Sequence, residues 1–275
     1  MTSSYAVNTE LVPDGSGSGT APLLPEPYPR RRRRPGRLPV ADRVAPAGII
    51  CALRTGVAWR DVPSQVVGAS GVTAWRRLLD WTEAGVCHRL REALLAELRR
   101  AGLLDMDAAA SGGSHIRALK KGEHVGPSPV GRGRSGSKHH LIVDRHGTLP
   151  GVTLIGGNRH DGTQFLPLLD AIPSVRGLPG RPRRRPRRLF ADLGYDYDRY
   201  RRPLWKRGLR PLIARRRVAN GSGLGKTRWV VERTFVRLHQ FKRLRIRYEI
   251  RADLDLGPLE LACSIICLRR LRTSF

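Results

Sequence analysis

Two carboxylates stand in segments that are otherwise apolar or basic. Asp192 closes the run Leu-Phe-Ala and precedes Leu-Gly-Tyr-Asp (193–196), and Glu232 sits in Arg-Trp-Val-Val-Glu-Arg-Thr-Phe (228–235). The first follows a short strand pattern and so falls at a strand's carboxyl end, where α/β sites open. The second lies in a helical pattern, with Arg228 four residues before it and Val236, His239 and Arg243 continuing along its face. Val231, Phe235 and Leu238 form the neighbouring apolar stripe. Taken singly, an Asp or Glu is usually a surface charge or half of an ion pair. On two separate elements, such carboxylates suit a Mg²⁺ or Mn²⁺ site for phosphoryl transfer, because hard cations take oxygen ligands and keep several waters.

Composition points to a polyanionic partner. The 275 residues hold 51 Lys and Arg against 23 Asp and Glu, a formal net charge of +28. Such a field draws nucleic acid or an anionic membrane surface. No window reaches the roughly 18 apolar residues of a membrane span. Met1 to Thr20 is polar and lacks the apolar core of a secretory signal, which predicts a cytoplasmic protein. The preponderance of arginine fits bidentate phosphate contacts, and equally a coding bias that also raises Ala, Gly and Pro. Cys51, Cys87, Cys263 and Cys267 form no CxxC pair, so buried reduced thiols are expected rather than zinc ligands.

The elements that must position the carboxylates follow from periodicity. Residues 1–35 read as a disordered basic tail ending in Arg30 to Arg34. Residues 36–103 read as helices, with stripes at Ile49, Ile50, Leu53 and Val57, then at Val72, Trp75, Leu78, Leu79 and Trp81, then at Leu90, Leu94, Leu95 and Leu98. Arg76 and Arg77 lie off the second stripe, which suits a helix-turn-helix-like DNA-binding region as well as it suits a plain helical bundle. Residues 104–275 alternate strand and helix patterns. They include a hairpin (139–144 and 149–155), a strand at 189–191, a helix at 197–207, a strand at 209–214 and helices at 229–244 and 259–271. That order predicts an α/β core, a mixed sheet flanked by helices.

Several segments carry a specific resemblance: Gly-Ser-His-Ile-Arg-Ala-Leu-Lys (113–120), Gly-Pro-Ser-Pro-Val (126–130), Gly-Ser-Lys-His-His-Leu-Ile-Val-Asp (136–144), Gly-Gly-Asn-Arg-His-Asp (156–161) and Leu-Ala-Cys-Ser-Ile-Ile-Cys (261–267), with the surroundings of Asp192 and Glu232. From about residue 104 to 271 the chain resembles the DDE transposases of bacterial insertion sequences, of the insertion sequence five group. Leu53-Arg54-Thr55-Gly56 and Trp59-Arg60-Asp61-Val62-Pro63 are similar to that group's N-terminal helical region. The resemblance implies an RNase H-like core, Mg²⁺ or Mn²⁺, cleavage and strand transfer on double-stranded DNA at terminal inverted repeats, and a homo-oligomer on DNA. It implies that Asp192 and Glu232 are catalytic metal ligands. It also implies that Arg228, His239 and Arg243 grip DNA. The first aspartate of the family precedes the Gly-Ser-His segment, and here that position is Gly112. Asp105 and Asp107 lie at odd offsets from it, hence on the opposite face of a strand. Asp144 and Asp161 fall on or after the hairpin strands, and the family does not use them as this ligand. The expectation is an impaired enzyme.

Three alternatives stand beside it. One is a catalytically inactive DNA-binding protein derived from such an enzyme. Another is an RNA-associated basic protein, which explains the charge but not the ordered motifs. The third is a nucleotide site at Gly221-Ser-Gly-Leu-Gly-Lys-Thr (221–227). That segment has Asn220 where a P-loop needs its first Gly, and no buried strand before it.

Overall fold

The computed structural model describes residues 23–25, 40–42, 44–215 and 224–273. The arginine run 30–34 lies outside the described residues, as do residues 216–223 of the Gly-rich basic segment. Among the described residues, four α-helices come first: α1 Ala45–Thr55, the single turn α2 Ser64–Val67, α3 Gly71–Glu83 and α4 Val86–Arg100. α1 stops at Gly56, whose φ of 74° is the left-handed conformation that glycine adopts freely. Ser70 caps α3 by accepting from the Thr73 amide.

The sheet contains β1 Ala108–Ala118, β2 Gly126–Pro127, β3 Ser135–Asp144, β4 Gly151–Gly156, β5 Arg188–Ala191, β6 Arg210–Ile213 and β7 Ile246–Arg247. Its path runs β2–β3–β1–β5–β6, with β4 on β3 and β7 on β1. β1, β3 and β4 pair antiparallel, whereas β5 and β6 run parallel to β1. Three antiparallel strands followed by two parallel ones, with β1 central, is an RNase H-like core. Helices α5 Phe165–Asp170 and α6 Asp198–Lys206 cover one face, and α7 Leu224–His239 and α8 Asp253–Arg272 cover the other.

Alternation along β1 sorts its side chains between two cores. Ala109 packs with Ile142, Leu189, Phe165 and Leu204, while Ala110 packs with Leu141, Val143, Val230 and Val231. Position 112 therefore faces α7. Against expectation, α7 ends at His239 rather than running to 244, and Lys242–Arg245 is a separate 3-10 turn. α8 starts earlier than its apolar run suggests, because Asp253 and Asp255 favour the positive end of a helix dipole. All four cysteines are buried and unpaired.

The N-terminal helices are fastened to this core by buried polar contacts. Arg91 of α4, 1% exposed, donates to the Pro150 carbonyl at 2.6 Å and to Glu260 of α8 at 3.3 Å. His88 reaches the same Glu260 oxygen at 3.1 Å. The Arg243 guanidinium lies between the rings of Trp59 and Tyr248, 4.8 and 4.7 Å from their centroids, and pairs with Glu249 at 3.0 Å.

The Lys-His-His segment has a buried consequence. His140 is fully buried on β3, and neither ring nitrogen finds a hydrogen bond among the described residues. Burial, which outweighs the nearby Asp161 charge, pushes its pKa down from 6.5 to about 4, with Lys138, His139 and His115 adding to the depression. The folded state then binds fewer protons than the unfolded chain between those two values. Stability should be fully present above pH 6.5 and fall as pH drops toward 4. Urea midpoints across that window should decline more steeply for the natural chain than for His140→Asn. Parallel curves would contradict the assignment.

Candidate active site

β5 delivers Asp192, and a tight turn holds it. Asp192 Oδ1 accepts from the Gly194 amide at 2.8 Å and caps the 3-10 turn Leu193–Tyr195. A Cβ on Gly194 would lie 2.9 Å from that oxygen, so a larger residue there would displace the Asp192 carboxylate. The Tyr195 ring beneath packs 4.6 Å from Phe165. Burial raises the Tyr195 hydroxyl pKa, and the charges of Asp161 and Asp192 raise it further.

α7 brings Glu232 to the same place. Arg228, one turn earlier, joins the two carboxylates: its Nη2 is 3.0 Å from Glu232 Oε1 and 3.6 Å from Asp192 Oδ2. Both acids thus lie within reach of a single guanidinium nitrogen. Trp229 is exposed beside them and carries the Arg233 guanidinium 4.3 Å from its ring centroid. Trp229 was not among the residues expected at the site, although its place three residues before Glu232 puts it on the same side of α7.

Position 112 falls level with this pair. The parallel register couples Ala110 to Phe190, and counting on two residues brings Gly112 beside Asp192, facing the same way. Gly112 is buried. A Cβ placed there would meet Val231 Cγ1 at 2.7 Å. The side chain next to Glu232 in sequence therefore stands over the place a carboxylate at 112 would enter.

The other acids have different work. Asp105 pairs with Arg145, and Asp107 lies 3.4 Å from Arg187 at the start of β1. Asp144 is fully buried and holds the hairpin, accepting from the amides of His146, Thr148 and Asp105 at 2.9, 2.8 and 3.1 Å. Asp161 takes Lys138 Nζ at 2.7 Å on the face opposite Gly112. Among the described residues, no group of three or more His, Cys, Asp or Glu could hold a metal ion. Position 112 offers no donor, and Arg228 spans the other two. The residues present do not fit a three-carboxylate cation site.

The expected DNA contacts divide. Arg228 belongs to the acidic pair. Arg243 does not continue the Glu232 face, because the helix has ended and the side chain is held between Trp59 and Tyr248. His239 is half-buried against Phe235, its Nε2 unpartnered among the described residues. Burial lowers its pKa, with His139 and Arg245 acting in the same direction, so it offers no fixed positive charge at neutral pH. Arg77 sits 3.2 Å from Asp42 and 3.8 Å from Asp80, whereas Arg76 is exposed.

The family model "Transposase DDE domain" matches residues 73–257. The chain belongs to the DDE transposase family. A second model, "Putative transposase of IS4/5 family", matches residues 19–91. The "Putative transposase for insertion sequence element IS402" of Burkholderia cepacia is 56% identical over 148 residues, 54% of this chain and 70% of that protein. The "Insertion element IS402 uncharacterized 16.2 kDa protein" of the same organism is 53% identical over 108 residues, 39% of this chain and 74% of that protein. Among solved structures, the Mos1 strand transfer complex aligns over 88% of this chain and 81% of that chain, at 10% identity and a TM-score of 0.32. The fold assignment rests on strand order and on the family match.

The contact at Gly112 gives a stability test. Gly112→Asp should lower unfolding free energy by about 1–3 kcal/mol, because the new side chain crowds Val231. Gly112→Asp/Val231→Ala should recover part of that loss, as measured by urea denaturation. Two equal losses would mean that Val231 does not close the position.

Proposed function

We propose that this DDE-family chain binds the terminal inverted repeats of an insertion element as a homo-oligomer on double-stranded DNA. We propose further that its strand cleavage and transfer are crippled at Gly112. The observation that carries this reading is the register of β1 on β5, which pairs Ala110 with Phe190; carried two residues further, it sets Gly112 beside Asp192 and leaves two carboxylates where the family uses three acids. The net charge of +28 supports a DNA partner, since phosphate neutralisation dominates such affinity.

Asp192 and Glu232 are the acidic residues retained at the site, and a divalent cation would supply activation of the attacking oxygen in an intact member. Loss of one ligand commonly costs roughly 10³-fold or more in rate. The bridge from Arg228 to both acids favours the companion reading, a DNA-binding protein that holds element ends without cutting them.

Cleavage of duplex DNA carrying the element's own ends separates these outcomes. The natural chain should bind but nick at background level in Mg²⁺ or Mn²⁺, and Gly112→Asp/Val231→Ala should restore nicking that Asp192→Ala then abolishes. Efficient nicking by the natural chain would overturn the reading. A preference for RNA over duplex ends would do the same.

A further inference from the structure

Arg228 does at the acidic pair what a cation would do. Its Nη2 contacts one oxygen from each carboxylate, at 3.0 and 3.6 Å. The side chain is 26% exposed, and its Nε is buried with no partner among the described residues. The guanidinium is therefore anchored at its far end, on the two acids. One turn of α7 fixes the Glu232 contact, since residues four apart on a helix are neighbours. The Asp192 contact is long-range and ties α7 to the end of β5.

Charge at the pair is closely balanced in this chain. Two carboxylates and one guanidinium leave a single net negative charge. A third carboxylate at 112 would leave two, more than one guanidinium balances. Glycine at 112 removes that excess, and Val231 lies over the space.

We propose that Arg228 is the resident counter-cation of the Asp192–Glu232 pair and keeps divalent cations off it. This rests on the reading that these two acids are what remains of the family's site. A metal ion between the acids would sit against the guanidinium charge, and unlike water the guanidinium cannot serve as a ligand. In the DNA-free chain, metal and Arg228 thus compete for the same two acids. Moving Arg228 aside requires another anion to receive it, and a DNA phosphate fits its planar donor fork.

The test uses the full chain without DNA and measures Mn²⁺ binding by calorimetry and by the fall in free-ion paramagnetic resonance. The natural chain should bind weakly. Arg228→Gln should bind at least about fivefold tighter, since a charge within contact distance of the ion is gone. Arg228→Met is a second neutral variant in case the first misfolds, and should show the same gain. Arg228→Lys, which keeps the charge, should stay near the natural value. Adding Asp192→Asn to Arg228→Gln should erase the gain. Equal Mn²⁺ affinity in the natural chain and both neutral variants would overturn the proposal, as would a gain that survives Asp192→Asn. No cleavage enters the measurement, so restored or absent nicking leaves its outcome independent.

Discussion

The pairing of β1 with β5 is the constraint on which the site depends. Three residue pairs, from Ala108–Arg188 to Ala110–Phe190, fix the register, and side-chain alternation does the rest. Because Ala110 faces Val230 and Val231, Gly112 must face α7. Because β5 ends at Ala191, Asp192 must emerge beside it. A slip of one residue would turn Ser111 toward the acids and bury Gly112 in the opposite core. The two packed cores forbid that slip, since every apolar side chain on β1 would change faces.

The second constraint is the attachment of the N-terminal helices. The Trp-Arg-Asp-Val-Pro motif supplies Trp59 as one side of a cage around Arg243, and Gly56 lets the chain pass 3.1 Å (as a Cβ would measure it) from Lys242 Cβ. Arg91 and Glu260 join α4 to α8 in a buried ion pair that is costly to break from one side. The 3-10 turn after α7 thereby rests against α1, so the helix that bears Glu232 and Arg228 is held at its far end by residues nearly two hundred positions away in sequence. A DNA contact on the helical region and the acidic pair would share one frame.

Much of this was legible in the sequence. The strand at 189–191, the hairpin around Asp144 and the helix carrying Glu232 follow from local periodicity, and the family motifs put them in order. The odd offset of Asp107 was enough to exclude it from the Gly112 face. Arg243 was misplaced because a 3.6-residue repeat continues on paper past His239, whereas the chain breaks into a 3-10 turn to meet Trp59. No local pattern announces that aromatic cage, since its members come from opposite ends of the chain. Val231 over Gly112 was hidden for the same reason: a contact between a strand and a distant helix depends on register and helix rotation together. Arg228 was visible as a neighbour of Glu232, but only the fold brings Asp192 to its other side.

The most direct measurement is an anomalous-scattering map from crystals of the natural chain grown with a short duplex of the element's end and soaked in Mn²⁺. With Gly112 leaving only two acids, no well-occupied Mn²⁺ peak should lie between Asp192 and Glu232. A well-occupied peak bound by both, with another side chain completing its shell, would show that the site is intact by a different route and would contradict the assignment of Gly112 as its missing ligand.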